Sequence, residues 1–421
     1  MIDKSVIKLL IAENQQIIKN VSIFRREYDF EDNLNYVLVG LRRAGKSYLL
    51  YQRMHQLMAE GRAVEEFLYF NFEDDRLIGM QVSDLDNIIT SYREMFDYKP
   101  FIFLDEIQII DGWEKFARRL ADQGMRVYIT GSNAKMLSSE IATTLGGRYQ
   151  IKQVFPLSFR EMLTAKGLDV NDRNFEYKNR VAINKYIEEY FRFGGLPEVT
   201  TVYDKRAWLS GLYAKIFFGD LLSRYSIRND KAVKYVVQKM AESVKQPVSY
   251  NRIANMVSSI GKKVSTDTVI DYLGYMNESW LLIPMENYAA KFVEKASNRK
   301  YYFIDNGILN LFLTDPDTSL LENIVAINLY RQYGDAVTFV NTNIEVDFFI
   351  PDRKIAVQVS YSLNDDATIK REVKALEKLS SAVEVDECYI VTMYDEEELE
   401  FDGKKIQVFP LWKWLLKNNK I

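Results

Sequence analysis

The sequence predicts an α/β protein built on a parallel sheet, followed by helical segments and a second α/β unit. The prediction depends on the alternation of short apolar runs with helical stretches before residue 157. Continuous apolar strands separated by helices are typical of parallel sheets buried on both faces. The apolar runs lie at 36–39, 67–72, 101–104 and 126–130, and the helical stretches lie between them at 47–59, 84–96 and 113–122.

Helical patterns dominate the segments on either side of this sheet. Residues 1–30 are predicted as one amphipathic helix that leads into the first strand, and residues 158–245 as almost entirely helical. A helix at 250–257 and a second helix at 266–279, joined by a turn through Gly261, predict a winged helix-turn-helix.

Strands and helices alternate again from residue 300 onward, which predicts the second α/β unit. The acidic run at 395–398 is predicted as a solvated loop or helix face. The predicted strands lie at 300–304, 336–340, 345–350, 354–360 and 387–393, and the helices near 320–333 and 365–380. The predicted domains are 1–157, 158–245, 246–290 and 291–421.

Composition excludes several kinds of chemistry. The 421 residues include 55 basic and 59 acidic side chains, a net charge of -4, which disfavours wholesale electrostatic binding to nucleic acid but allows a local basic patch. The single cysteine, Cys388, and the single histidine, His55, exclude a disulfide framework and Cys- or His-rich metal sites. No apolar run reaches the roughly 18 residues of a spanning helix, so we expect a cytoplasmic protein without a membrane partner.

A glycine-rich motif follows the first predicted strand. Residues 40–47, GLRRAGKS, match G-x-x-x-x-G-K-[ST] at every fixed position. Such glycines let the backbone approach phosphates, and the amides and helix N-terminus then point at the anion. Lys46 is predicted to reach the β- and γ-phosphates of ATP, and Ser47 to ligate Mg²⁺. The predicted nucleotide-binding residues are Gly40, Leu41, Arg42, Arg43, Ala44, Gly45, Lys46, Ser47 and Tyr48.

The third apolar run ends in two carboxylates, Asp105 and Glu106. In P-loop ATPases an Asp at a strand end holds magnesium, and a following Glu activates the attacking water. Asp105 is therefore predicted as a metal ligand together with Ser47, and Glu106 as the catalytic base. Two solvated acids after an ordinary strand are the alternative, which the preceding glycine-rich motif disfavours.

Two further residues are candidates for the catalytic site. The fourth apolar run ends in Ser132 and Asn133, where Asn133 can orient a lytic water; a capped loop entering the next helix is the alternative. Arg148 follows Gly146 and Gly147 and is a candidate arginine finger, with a surface arginine of no function as the alternative.

With these motifs the chain resembles prokaryotic AAA+-type P-loop ATPases whose C-terminal domain of unknown function has a restriction-endonuclease-like fold. The resemblance implies an ATPase core at 1–157, a helical lid at 158–245, a winged helix at 246–290 and an endonuclease-like domain at 291–421. It also makes Ser132 and Asn133 the sensor segment and Arg148 a loop arginine of the family. The matching segments are GLRRAGKS, FIFLDEIQ, ITGSNAKML, GGR, PLSFREM, FGGLPEV, YYFIDNGI, LENIVAINL and EVDFFI, which cover nearly the whole chain in order.

The C-terminal domain departs from an active nuclease of that fold. Such nucleases place an acid on a first helix, an Asp on a strand and Glu-x-Lys on the next strand. Glu322 and Asp347 match the first two positions, but Gln358 and Ser360 occupy the others. Gln binds hard cations poorly and Ser carries no positive charge, so the domain is predicted to be non-catalytic. A lysine near Lys370 is the alternative source of the missing cation.

The sequence therefore predicts a magnesium-dependent ATPase that couples hydrolysis to domain movement on a protein or DNA partner. The alternative is a nucleotide-binding switch or scaffold with negligible turnover. Acidic residues Asp267 and Asp271 on the second helix of the winged helix repel phosphates and favour protein contacts over DNA. Assembly into a homo-oligomer is compatible with an arginine finger.

Overall fold

The structure is a computed structural model, and it describes residues 2–137, 139–260, 263–289 and 298–417. The chain forms two compact units, unit 1 over Met1–Phe155 and unit 2 over Pro156–Ile421. Among the helices that the structure describes, none has the length and apolar character needed to cross a membrane.

Unit 1 contains a five-stranded sheet in the order β2-β3-β4-β1-β5, in which every neighbouring pair is parallel. The predicted parallel sheet is thereby confirmed. Its strands are β1 (Asn35–Val39), β2 (Phe67–Asn71), β3 (Phe101–Asp105), β4 (Arg126–Gly131) and β5 (Tyr149–Gln153). Its helices are α1 (Lys4–Asn20), α2 (Lys46–Ala59), α3 (Leu85–Met95), α4 (Trp113–Asp122) and α5 (Ser139–Leu145).

The strand order positions the candidate site. β4 lies between β1 and β3, so the carboxyl ends of these three strands lie side by side at one edge of the sheet. In open parallel sheets this edge is where ligands bind. The β1, β3 and β4 residues are almost all buried, which explains why their sequences are continuously apolar rather than alternating.

The N-terminal helix is shorter than predicted. It ends at Asn20, because Val21 adopts an extended backbone, and residues 21–34 form no further helix. This segment carries Arg26, a buried side chain that donates to Ala44 O at 2.8 Å and to Phe155 O at 3.0 Å. The predicted single helix over residues 1–30 is thus wrong beyond Asn20.

Unit 2 combines helices with a nine-stranded mixed sheet in the order β13-β14-β12-β11-β10-β9-β7-β8-β6. The strands are β6 (Val248–Ser249), β7 (Leu282–Asn287), β8 (Asn298–Phe303), β9 (Thr338–Asn341), β10 (Glu345–Ile350), β11 (Ile355–Val359), β12 (Glu387–Thr392), β13 (Glu397–Phe401) and β14 (Lys404–Pro410). The helices are α6 (Phe159–Ala165), α7 (Phe175–Phe193), α8 (Lys205–Lys215), α9 (Asp230–Glu242), α10 (Tyr250–Ile260), α11 (Thr266–Glu278), α12 (Asn306–Leu309), α13 (Asp317–Tyr333), α14 (Asp366–Ala382) and α15 (Leu411–Lys417).

The acidic run at 395–398, which the sequence predicts as a loop or helix face, extends into a strand: Glu397 begins edge strand β13, which pairs antiparallel with β14. The turn residues Gly261 and Lys262, predicted between the two helices of the winged helix, lie outside the described residues.

Candidate nucleotide site

The glycine-rich loop connects β1 to α2 and depends on its glycines for two different reasons. A Cβ atom at Gly40 would lie 2.1 Å from Val154 O, so no side chain fits there. Gly45 adopts a left-handed backbone with φ 97° immediately before the first residue of α2. The loop therefore ends at a helix N-terminus, where backbone amides favour a bound anion.

Lys46 is the first residue of α2 and is 4% exposed. Its ammonium donates to Gly40 O and Leu41 O, each at 3.2 Å, and lies 3.4 Å from Glu106 Oε1. The positive charge is thus directed into the loop and toward the end of β3.

Asp105 ends β3 and is 1% exposed. Its carboxylate accepts hydrogen bonds from Tyr69 OH at 2.7 Å, from Thr130 Oγ1 and from the Ser47 hydroxyl. Burial, and then the neighbouring Glu106, raise the pKa of Asp105 above its usual value, although these three donors oppose the shift.

Ser47 and Asp105 fit a magnesium ion. A hydroxyl and a carboxylate in direct contact form a hard oxygen donor set, which Mg²⁺ prefers when phosphate oxygens and water complete its shell. The described residues contain no group of three or more His, Cys, Asp or Glu side chains that could hold a metal alone. The kind of metal site that this region can form is therefore the pair Ser47 and Asp105, with phosphate oxygens of the substrate completing the coordination shell.

Glu106 follows in a left-handed conformation with φ 55°, and its backbone amide donates to Thr130 Oγ1 at 2.9 Å. Its Oε2 accepts from Gln108 Nε2. Burial acts to raise the pKa of Glu106, but the ammonium of Lys46, the amide of Gln108, the guanidinium of Arg42 and the hydroxyl of Ser132 together outweigh it, so this pKa lies below its usual value. Glu106 is therefore ionised at neutral pH, as a general base must be.

The remaining predicted loop residues lie around this centre. Arg42 pairs with Glu73 at 2.9 Å. Arg43 has a positive φ of 65°. Tyr48 is 54% exposed, and its ring lies edge-on to Tyr51.

The structure brings one of the other two predicted catalytic residues to the site. Asn133 follows Ser132 at the carboxyl end of β4. It is buried at the same edge of the sheet at which β3 ends in Asp105. Arg148 precedes β5, and its backbone oxygen accepts from the side chain of Asn35 at the start of β1. It therefore lies at the opposite edge of the sheet from the glycine-rich loop, about 15 Å away at 3.3 Å per residue. Its half-exposed guanidinium pairs with Asp122.

Sequence reasoning missed three residues that hold this site together. Tyr69 and Thr130 both donate to Asp105, and Gln108 donates to Glu106. Thr130 and Gln108 lie inside runs that the sequence already singles out. Tyr69 gives no such signal, because its contact depends on β2 pairing with β3.

Unit 2 has a second set of charged and polar residues, here called the carboxylate cluster: Lys300, Glu322, Asp347, Gln358 and Glu372. Lys300 on β8 is 1% exposed, and its ammonium lies 3.0 Å from Glu322 Oε1 and 3.6 Å from Asp347 Oδ1. Gln358 donates to Glu372 Oε2 at 2.8 Å and accepts from the amide of Asp347 at 2.8 Å. The last four of these residues line an open cleft of about 690 Å³.

This arrangement corrects the prediction about the missing lysine. The cation comes from Lys300, on a strand that precedes Glu322, and Lys370 is exposed. Ser360 donates to Ser362 O, as expected of an uncharged residue. His55, on α2, contacts Ile18 O at 2.7 Å. Cys388 is buried in β12.

The comparisons with known proteins agree with the site in unit 1. Residues 32–163 match the family described as "AAA domain", and residues 184–319 match a "Domain of unknown function (DUF8612)". The parallel sheet, the glycine-rich loop and the strand-end carboxylates together define an AAA-type P-loop ATPase domain.

The chain belongs to the same family as "Uncharacterized protein MJ1544" of Methanocaldococcus jannaschii, which is 34% identical over 99% of this chain and 96% of the relative. An uncharacterized protein of Haemophilus influenzae is 30% identical over 90% of this chain and 94% of its own length.

Two solved structures have lower similarity. The Walker-type ATPase PABY2304 of Pyrococcus abyssi has a TM-score of 0.41 and 13% identity, over 74% of this chain and 96% of that one. The ORC1 protein of Aeropyrum pernix in complex with DNA has a TM-score of 0.30 and 14% identity, over 75% and 93%.

Proposed function

We propose that the protein is a magnesium-dependent ATPase that couples hydrolysis to domain movement on a partner. The observation that carries the proposal is the meeting of three groups at one sheet edge. The ammonium of Lys46 lies 3.4 Å from the carboxylate of Glu106, and Asp105 contacts the hydroxyl of Ser47. A cation for phosphates, a magnesium pair and an ionised base are what phosphoryl transfer to water requires.

The proposed roles follow from these positions. The amides of residues 40–48 and Lys46 bind the phosphates, Ser47 and Asp105 hold Mg²⁺, and Glu106 takes a proton from water. When bound, Mg²⁺ neutralises the charge that develops on the phosphate oxygens. Asn133, buried at the end of β4, is proposed to orient the water.

Phosphate release with ATP and Mg²⁺ tests this function. Glu106→Gln keeps the size of the side chain but removes the base, so turnover should fall by about 100-fold or more while ATP binding persists. Glu114→Gln on α4 is the matched control and should behave as the wild type. Equal phosphate release by the wild type and Glu106→Gln would show that Glu106 is not the base.

A nucleotide-binding switch with negligible turnover is the second candidate. One observation favours it: both carboxylate oxygens of Glu106 are engaged, one by Lys46 and the other by Gln108. Tight ATP binding without measurable phosphate release from the wild type would establish this second function.

We further propose that unit 2 comprises a helical lid (158–245), a winged helix (246–290) and a non-catalytic endonuclease-like domain (291–421). Support for the winged helix comes from the order α9, β6, α10, α11, β7 and β8, with β8 antiparallel to both β6 and β7. Support for the endonuclease-like domain comes from antiparallel β9, β10 and β11 between helices α13 and α14, followed by β12 parallel to β11.

The proposed partner of the winged helix is a protein rather than DNA. The exposed face of α11 carries Asp267, Ile270 and Asp271. Two acids at this position repel phosphates, whereas a DNA-reading helix presents basic residues. Fluorescence anisotropy with a labelled DNA duplex at low salt should give no saturable binding, and salt-sensitive saturable binding would reverse this assignment.

A further inference from the structure

Gln108 lies in the short 3-10 helix Ile107–Ile109, two residues after Glu106. Its Nε2 atom is 2.5 Å from Glu106 Oε2 and 3.4 Å from Ser132 Oγ. The glutamine therefore connects the proposed base, which directly follows β3, to the carboxyl end of β4.

The structure gives the orientation of this amide. Gln108 Nε2 faces Glu106 Oε2, while Gln108 Oε1 lies toward Gly131, so the amide presents its NH₂ group to the carboxylate. The opposite orientation would place two oxygen atoms 2.5 Å apart. Gln108 is therefore a donor to Glu106.

The surroundings of Gln108 keep it in this place. A Cβ atom at Gly131 would lie 2.7 Å from Gln108 Oε1, so the amide fits because residue 131 has no side chain. In the part of the chain that the structure describes, Gln108 Oε1 is buried and accepts no hydrogen bond. An unpaired buried carbonyl is unfavourable and calls for an explanation. The contact of the other end of the amide with Glu106 provides one.

We propose that Gln108 is a positioning residue that tethers Glu106 through Oε2, so that Oε1 is the oxygen that accepts the proton of the attacking water. The proposal rests on the ATPase function proposed above. Oε1 is the oxygen near Lys46, at 3.4 Å, and phosphates attract that same ammonium. When Lys46 turns to the phosphates, Oε1 is released while Oε2 stays bound to Gln108.

In the proposed hydrolysis, water gives a proton to Oε1, and the water oxygen bonds to the γ-phosphorus. The bond from that phosphorus to the bridging oxygen breaks, and ADP leaves with the electron pair. Holding one carboxylate oxygen restricts rotation of the base and keeps the other oxygen in the reactive orientation.

Gln108→Met tests this role, because methionine has a similar length but no donor. We expect kcat to fall by about tenfold, a fraction of the usual contribution of a general base, while the Kd for ATP measured by calorimetry changes by less than about twofold. Gln123→Met, a change at an exposed glutamine of unit 1, is the matched control and should leave both values unchanged.

A double-mutant cycle separates positioning from a general structural effect. In a Glu106→Gln background, Gln108→Met should cause no further loss in single-turnover hydrolysis, because the residue acts through Glu106. An additive loss, or a parallel loss of ATP affinity, would overturn the proposal. An unchanged kcat of Gln108→Met in an active enzyme would also overturn it, whereas a wild type without turnover would refute the ATPase function itself.

Discussion

Unit 1 and unit 2 each bury a lysine beside carboxylates, but the two lysines are held in different ways. Lys46 begins a helix after a glycine-rich loop, and its ammonium contacts two backbone carbonyls and lies 3.4 Å from one carboxylate. Lys300 lies within strand β8 and pairs with Glu322 at 3.0 Å and Asp347 at 3.6 Å. The same residue types can therefore form either a loop site, which we propose binds a ligand, or an internal ion cluster.

The difference depends on what could replace each contact. Carbonyl contacts to Lys46 are exchangeable for phosphate oxygens, which carry more negative charge. In the carboxylate cluster, burial lowers the pKa of Lys300, but Glu322 and Asp347 outweigh it and raise this pKa above its usual value. Lys300 thus stays protonated and supplies the positive charge that a metal ion would otherwise bring.

The largest expected effect is on the stability of unit 2. Lys300→Met leaves the buried Glu322 and the partly exposed Asp347 without their cation, and breaking a buried pair such as Lys300–Glu322 costs about 3–5 kcal/mol. Lys46→Met should cost less than about 1 kcal/mol, because it leaves one acid near a loop. Chemical unfolding followed by tryptophan fluorescence measures this, since four of the five tryptophans lie in unit 2. Equal losses of unfolding free energy for Lys300→Met and Lys46→Met would contradict the proposed difference between the two lysines.

Asp305 allows a test of a buried acidic side chain that is held by backbone amides instead of a cation. It follows β8, and its carboxylate accepts from the amides of Gly195, Gly307 and Ile308. Burial raises the pKa of Asp305 to about 6, against a usual value of 3.8. Its contribution to stability is therefore fully present below pH 3.8 and is lost as the pH rises through 6, a loss of about 3 kcal/mol.

Asp305→Asn removes this titration. The free energy of unfolding of the variant, relative to the wild type, should rise between pH 4 and pH 7. Asp352→Asn, at an exposed position in unit 2, should show no such rise. A relative stability that stays flat for Asp305→Asn would mean that the carboxylate is ionised at low pH and is not penalised by burial.

The affinity for ATP tests the proposal that the loop around Lys46 binds phosphates. Lys46→Ala removes the cation that faces the phosphates and should weaken ATP binding by tenfold or more, about 1.4 kcal/mol or greater. Glu322→Gln in unit 2 changes the carboxylate cluster but should leave ATP binding in unit 1 unchanged. Calorimetry on both variants measures this, and an unchanged affinity of Lys46→Ala would show that the loop does not bind phosphates.

The sequence predicts that Lys46, Ser47, Asp105 and Glu106 lie close together, because the main groups of the candidate site lie in continuous segments. The glycine-rich loop and the Asp105–Glu106 pair each follow a predicted strand, and parallel strands bring their carboxyl ends to one edge. The contacts of Tyr69 and Thr130 with Asp105 could not be predicted, because they require that β2 and β4 flank β3.

The carboxylate cluster illustrates the limit of sequence reasoning. Its members come from β8, α13, β10, β11 and α14, so no local spacing predicts that they meet. Lys300 could not be predicted as the cation of the cluster. The Glu-x-Lys pattern places the lysine two residues after the Glu on one strand, whereas Lys300 lies on another strand. The end of α1 at Asn20 and the strand at Glu397 were missed because local patterns leave element boundaries uncertain.

A smaller effect is expected from Arg148, which lies away from the loop of its own chain. We propose that it acts as an arginine finger across an interface between copies of this chain. Mixing Arg148→Ala with Lys46→Ala subunits should then restore part of the activity, about a few-fold above either variant alone, because a finger that acts in trans lets each subunit supply the residue that the other lacks. Full activity of a monomer at nanomolar concentration would exclude this role.

For DNA cleavage we expect no activity at all, because the carboxylate cluster should not cut DNA. Metal-assisted hydrolysis requires carboxylates free to hold magnesium and a cation to stabilise the phosphate. Here the ammonium of Lys300 already pairs with Glu322 and Asp347, and Glu372 accepts a hydrogen bond from Gln358.

Supercoiled plasmid incubated with the protein and Mg²⁺ or Mn²⁺ should remain intact, and Asp347→Ala should give the same result. Nicking by the wild type that disappears in Asp347→Ala would show that a divalent ion displaces Lys300 from the two carboxylates. In that case the carboxylate cluster, like the loop around Lys46, would be a ligand site, and the distinction between the two buried lysines would fail.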